Sequence, residues 1–230
     1  MDAWTTNSVQ AADRVSAFLW KVYGWMAVGL GLTALVAFAV AGSPDLLRVL
    51  IGNRLVFFAI VIAELGLVFF MSARADRLAP GTAAGLFALY SALNGVTLSV
   101  ILLAYTGESV TMTFVVTAGM FGALALFGST TKRSLAGAGQ FFMMGLVGLI
   151  LASIIGMFWH NDALQFLISV VGVIVFTGLT AWDAQRLKQM ALALPAGQVG
   201  AYAVVGALSL YLDFINLFLM LLRFTGSRRD

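Results

Sequence analysis

Three carboxylates stand inside or against long apolar runs. Glu64 lies in Ile62-Ala63-Glu64-Leu65-Gly66, Asp183 in Trp182-Asp183-Ala184-Gln185-Arg186, and Asp213 in Leu210-Tyr211-Leu212-Asp213-Phe214-Ile215. A carboxylate in an apolar medium is protonated, or it is held by a partner or a wet cavity. The chemistry open to such groups is proton binding, oxygen coordination of a cation, and hydrogen bonding between helices. Ser209, Asp213 and Asn216 follow at i, i+4, i+7, so they share one helical face, which must look into the protein. Function and a structural interhelical hydrogen bond both account for that face. Asp183 reads equally well as an interfacial residue paired with Arg186 or Lys188. For Glu64, the stripe Tyr90, Asn94 and Thr97 on the next apolar run offers a polar partner, lining an ion path or acting as static polar glue.

Other chemistries find little support. The chain has no cysteine, which excludes disulfides, thiolate metal sites and cysteine nucleophiles. His160 is its one histidine, in the turn Trp159-His160-Asn161-Asp162, and one histidine beside one carboxylate is a poor metal site. No structural metal is expected. Nucleophile-elbow, zinc-protease, P-loop and dinucleotide motifs are absent. Two intramembrane aspartates raise the possibility of proteolysis, but their flanking residues lack the Tyr-Asp and Gly-x-Gly-Asp contexts of presenilin-type proteases. The reading is of a protein that is no enzyme and needs no cofactor.

The elements that must carry these residues are membrane helices. The 230 residues are 61% hydrophobic and only 10% charged, whereas a soluble domain carries about a quarter charged residues. A spanning helix needs roughly 20 mainly apolar residues. Such runs occur at Val22–Ala41, Leu55–Ala73, Thr82–Tyr105, Val110–Phe127, Ala138–Trp159, Ala163–Trp182 and Ala201–Leu222, joined by short connections. The expected fold is an all-α membrane protein of seven transmembrane helices. Residues 1–21 form a cytoplasmic N-terminal segment, 22–224 the spanning domain and 225–230 a basic tail. Ala39-Val40-Ala41 resembles a signal-peptidase site, but the run before it is too long and its polar leader too extended, so it is read as a retained span.

The excess of 13 basic over 10 acidic residues sets topology and does not point to nucleic acid. Arg14, Lys21, Arg74, Arg77, Lys132, Arg133, Arg186 and Lys188 fall on one side. Arg48, Arg54, Arg223, Arg228 and Arg229 fall on the other, so the N-terminus is cytoplasmic and the C-terminus periplasmic. Gly81 with Gly85, and Gly148, Ala152 and Gly156, make small-residue stripes best read as ordinary helix packing.

Trp182-Asp183-Ala184-Gln185 after an apolar span is similar to the Asp-x-Gln element of the Bax inhibitor-1 (transmembrane Bax inhibitor motif) family. The run Ala207-Leu208-Ser209-Leu210-Tyr211-Leu212-Asp213-Phe214-Ile215-Asn216-Leu217-Phe218-Leu219 resembles that family's last-helix signature almost letter for letter. Val22-Tyr23-Gly24-Trp25-Met26 and the mid-span Glu64 also fit. The resemblance implies a last helix surrounded by the other six, in a bacterial inner-membrane protein. It implies a pH-sensitive calcium leak in which Asp183 and Asp213, hydrogen-bonded to each other, sense the proton. Glu64 then belongs to the ion path, with Asn94, Ser209 and Asn216 as further candidates, and Arg74 is the nearby arginine that engages the aspartates. Calcium is the permeant ion, held transiently at Asp183, Asp213 and Glu64. A second reading, of a different class, is a membrane-embedded regulator that docks on a membrane protease of the FtsH type or another membrane partner. A proton-coupled transporter is a third, without a substrate-pocket signature. On the expected spans, Asp183 lies near the membrane edge and Asp213 near mid-bilayer at about 1.5 Å per residue. They would meet only if the last helix began outside the apolar layer or its neighbour tilted.

Overall fold

The computed structural model describes residues 3–159, 161–195 and 199–229. His160, read above as part of an interfacial turn, lies outside them. Helix α1 (Ala3–Ala41) is followed by a short α2 (Pro44–Leu46) that runs into a π-helical turn, Leu47–Ile51. Then come α3 (Arg54–Ala73), α4 (Pro80–Ala104), α5 (Gly107–Thr130), α6 (Ala136–Phe158), α7 (Asp162–Ala193) and α8 (Val199–Thr225). Seven of these, all but α2, are long and apolar enough to cross a bilayer. The protein is an all-α membrane protein.

Two ends differ from the hydropathy reading. Helix α1 has no break at Val22: its helical backbone starts at Ala3, and Phe18, Val22 and Met26 bury one face at four-residue spacing. Helix α7 does not stop at Trp182 but continues to Ala193. After Asp183 the added residues, Ala-Gln-Arg-Leu-Lys-Gln-Met-Ala-Leu-Ala, are strong helix formers with no glycine or proline among them. Pro195 then disfavours helix at Leu194 and ends the run. The backbone follows propensity, not hydropathy, and Asp183 becomes an interior helical residue.

The chain divides into two compact units. One comprises Met1–Ala104 and Lys188–Tyr211, the other Tyr105–Leu187 and Leu212–Asp230. In the first, α1 packs along α4, α4 packs on α3, and Phe87 and Tyr90 each meet the Tyr211 ring edge-on at 5.7 Å. In the second, Leu149, Ile168, Val175, Phe176, Leu179, Leu217 and Met220 form one apolar core. Phe214 meets Phe114 and Phe121 edge-on beside it. Helix α8 gives its first half to one unit and its second half to the other. It is the enclosed helix, with 72% of its apolar window buried against 39% or less in the other spans.

The close backbone approaches fall on other glycines than the stripes suggested. Gly81, Gly85 and Gly148 face open space, and Gly156 alone of the stripe glycines meets a neighbour, the Gln165 side chain. Gly128 instead lies directly on the Ala181 carbonyl, and Gly139 on the Trp182 ring. Both clamp the stretch of α7 that carries Asp183. The tail is tied down as well. Thr106 N–H donates to Ser227 O at 3.1 Å, Ser227 N–H donates to Ser109 Oγ at 3.0 Å, and Tyr105 and Arg228 form an isolated antiparallel bridge.

Candidate functional site

Asp183 and Asp213 come together within the second unit. At 1.5 Å per residue, Asp183 lies about 15 Å before the end of α7 and Asp213 about 21 Å beyond the start of α8. The extension of α7 therefore brings the two carboxylates to within about 6 Å of one level, which reduces the mismatch expected from hydropathy. Both are buried, at 9% and 5% exposure, and their charges act on each other. Arg186, one turn along α7, places Nη1 3.6 Å from Asp183 Oδ1 and lies over the Trp182 ring. Asp213 Oδ2 is buried with no hydrogen-bond partner among the described residues. A buried carboxylate oxygen left this way carries its full desolvation cost, and either a proton or a cation would relieve it. Among the described residues no three acidic or histidine side chains converge, so a cation here would meet two carboxylates at most.

Gln185 holds the frame. It lies two residues from Asp183, about 200° around the helix, so it faces the opposite way. Leu135 N–H donates to its Oε1 at 2.8 Å, and its Nε2 donates to Arg133 O at 2.8 Å. One buried amide thus pins the α5–α6 connection to α7.

Glu64 belongs to the first unit and to a different polar group. Thr97 Oγ1 donates to Glu64 Oε1 at 3.1 Å, and the Asn94 side chain lies near the same carboxylate. Tyr211 hydroxyl donates to Asn94 Oδ1 at 3.0 Å and lies 2.6 Å from Thr33 Oγ1. Thr33 in turn donates to Ser91 O at 2.9 Å. Tyr211 and Asp213 are two residues apart, so α8 presents them on nearly opposite faces.

The sequence matches the family described as "Inhibitor of apoptosis-promoting Bax1" over residues 15–230. The chain belongs to the Bax inhibitor-1 family. Among its relatives, "Inner membrane protein YbhL" of Escherichia coli K12 is 48% identical over 224 residues, covering 96% of each chain. An uncharacterized protein of Borreliella burgdorferi is 44% identical over 215 residues, covering 93% of each. "Uncharacterized protein RP147" of Rickettsia prowazekii is 39% identical over 229 residues, covering 98% of this chain and 96% of its own.

In this Bax inhibitor-1 family member the remaining candidates fall as follows. Arg74 lies over the Phe70 ring at 5.2 Å, and the arginine beside Asp183 is Arg186. Asn216 donates Nδ2 to Leu212 O of its own helix at 2.8 Å, and Ser209 is half-buried. Thr33 was not singled out in the sequence, where its only local sign is a hydroxyl in an apolar span. Gln185 and Tyr211 entered only as parts of the two family-like motifs, without the clamp or the hydroxyl contacts they make.

Proposed function

We propose that this protein is a proton-regulated calcium leak of the bacterial inner membrane, gated where α7 meets α8 by Asp183 and Asp213. The observation that carries the reading is the unpartnered, buried Asp213 Oδ2 beside a second carboxylate. Two carboxylates in a low-dielectric setting resist ionising together and hold a proton between them. The shared proton ties α7 to α8 and closes the path. Its loss leaves repulsion, and a second proton leaves a weaker neutral contact. Calcium takes oxygen ligands, and two carboxylates with no third make a site weak enough to release the ion. Glu64 is a further transient site on the path, and the function needs neither covalent chemistry nor a resident cofactor. The naming of an E. coli relative as an inner membrane protein supports the location. Loop charges support a cytoplasmic N-terminus and a periplasmic C-terminus.

The test is calcium flux against pH in liposomes holding only this protein, for the wild type, Asp183→Asn, Asp213→Asn and the double variant. Each single substitution is expected to flatten or move the profile, and the double to add little, since either breaks the pair. Additive effects, or a wild-type profile in a single variant, overturn the coupled sensor. Absence of flux without a partner favours the second reading, a regulator of a membrane protein such as an FtsH-type protease. The apolar windows of α3 and α6, only 11% buried, offer surface for that docking.

A further inference from the structure

The polar chain in the first unit contains a shortage of protons. Three contacts need one: Thr33 to Ser91 O at 2.9 Å, Thr33 to Tyr211 at 2.6 Å, and Tyr211 to Asn94 at 3.0 Å. The Thr33 and Tyr211 hydroxyls supply two. Two arrangements resolve this with the backbone and rings in place, because the hydroxyl protons rotate and the Asn94 amide can turn over, exchanging Oδ1 and Nδ2.

In the first, Thr33 donates to Tyr211 and Tyr211 to Asn94 Oδ1. Ser91 O keeps its helical partner alone, and Asn94 Nδ2 turns toward Glu64, where it suits an ionised carboxylate. In the second, the Asn94 amide is turned over. Nδ2 donates to Tyr211, Tyr211 to Thr33, and Thr33 to Ser91 O, so every contact has its proton. Asn94 Oδ1 then faces Glu64, which repels a carboxylate and accepts from a carboxylic acid. Thr97 fits both arrangements. Its hydroxyl lies 3.1 Å from Glu64 Oε1 and 3.0 Å from Asn94 O, so it donates to the ionised group and swings to the backbone for the protonated one.

We propose that Glu64 is a second proton-binding site, wired to Tyr211 of α8 by a hydrogen-bond chain through Asn94 that extends to Thr33 and Ser91 and reverses direction when Glu64 takes up a proton. Glu64 is half-buried and is the end of the chain that meets the surroundings, while Asn94, Tyr211, Thr33 and Ser91 are buried. The titratable groups facing it are Tyr90 from α4 and Tyr211 from α8. On the elements packed against α3, Arg48 of the π-helical turn is exposed. On α3 itself, Arg54 lies about 15 Å away along the helix, as does Arg74 at the other end. No calcium flux enters this inference, so its test is separate from that of the leak.

Infrared difference spectroscopy across pH, on the whole protein in nanodiscs, reads both ends of the chain. Lowering the pH is expected to raise a carboxyl C=O band that is absent in Glu64→Gln. A change in the tyrosine C–O band accompanies it and is lost in both Glu64→Gln and Tyr211→Phe. Thr33→Val, which cuts the chain beyond Tyr211, keeps the carboxyl band but moves its midpoint by about half a pH unit or more; it serves also if Tyr211→Phe does not fold. A tyrosine change that survives Glu64→Gln overturns the proposal. So does a midpoint unmoved in Thr33→Val, or no Glu64 band between about pH 4 and about pH 10.

Discussion

The two halves of α8 treat their most buried polar side chains, Tyr211 and Asp213, in opposite ways. In the upstream half the Tyr211 hydroxyl is tied to Asn94 and Thr33, and its ring is boxed edge-on by Phe87 and Tyr90. In the downstream half Asp213 is buried with one oxygen unpartnered. A satisfied buried network rigidifies its surroundings, whereas an unsatisfied buried group stores a cost that a ligand can relieve. The upstream half fixes the helix, and the downstream half leaves it poised. The frame around Asp183 and Asp213 must then draw its rigidity from backbone packing and from the Gln185 clamp.

If so, the largest effect comes from breaking that packing. Gly128→Ala would drive a methyl group into the Ala181 backbone carbonyl, which cannot swing aside. We expect a loss of about 3 kcal/mol or failure to fold, read as thermal stability in detergent, while Gly81→Ala in open space changes little. The comparison itself is sharpened by a pair of substitutions. Tyr211→Phe removes a hydroxyl from a linked network and should cost about 1–3 kcal/mol. Asp213→Asn keeps the shape and alters a group with one unpartnered oxygen, so it should cost less than Tyr211→Phe. Equal losses in the two denaturation curves would erase the distinction between the halves. The smallest effect is expected at Arg186, whose side chain is 52% exposed. Arg186→Ala should cost about 0–1 kcal/mol, yet it takes away the guanidinium 3.6 Å from Asp183, so the pH profile of flux should move while the melting temperature holds.

Much of the architecture was legible because the apolar runs are long and uninterrupted, and the observed spans agree with them except where helix propensity outlasts hydropathy. The end of α7 is the instructive case. A stretch of Gln, Arg and Lys looks like a membrane edge, yet it continues the helix, and that continuation brings Asp183 nearer the level of Asp213. The aspartates, Glu64 and the Asn94 stripe were visible as polar groups in apolar surroundings. Their partners were not. Thr33 and Tyr211 are 178 residues apart, and nothing local in either segment announces the other. The Gln185 clamp was hidden for a related reason, since its two partners are loop backbone atoms that have no residue type to read.

The short connection between Tyr105 and Ser109 and the tail at Ser227 have a mechanical meaning. Two backbone-directed hydrogen bonds and an antiparallel bridge fasten the chain just past the last turn of α8. A piston needs a free end, and this helix has none there. To slide along its axis α8 would first have to tear the tail from the start of α5, whereas rotation or tilt about the fastened end leaves those bonds in place. A motion of α8 that keeps these bonds is a swivel, and its amplitude grows with distance from Ser227.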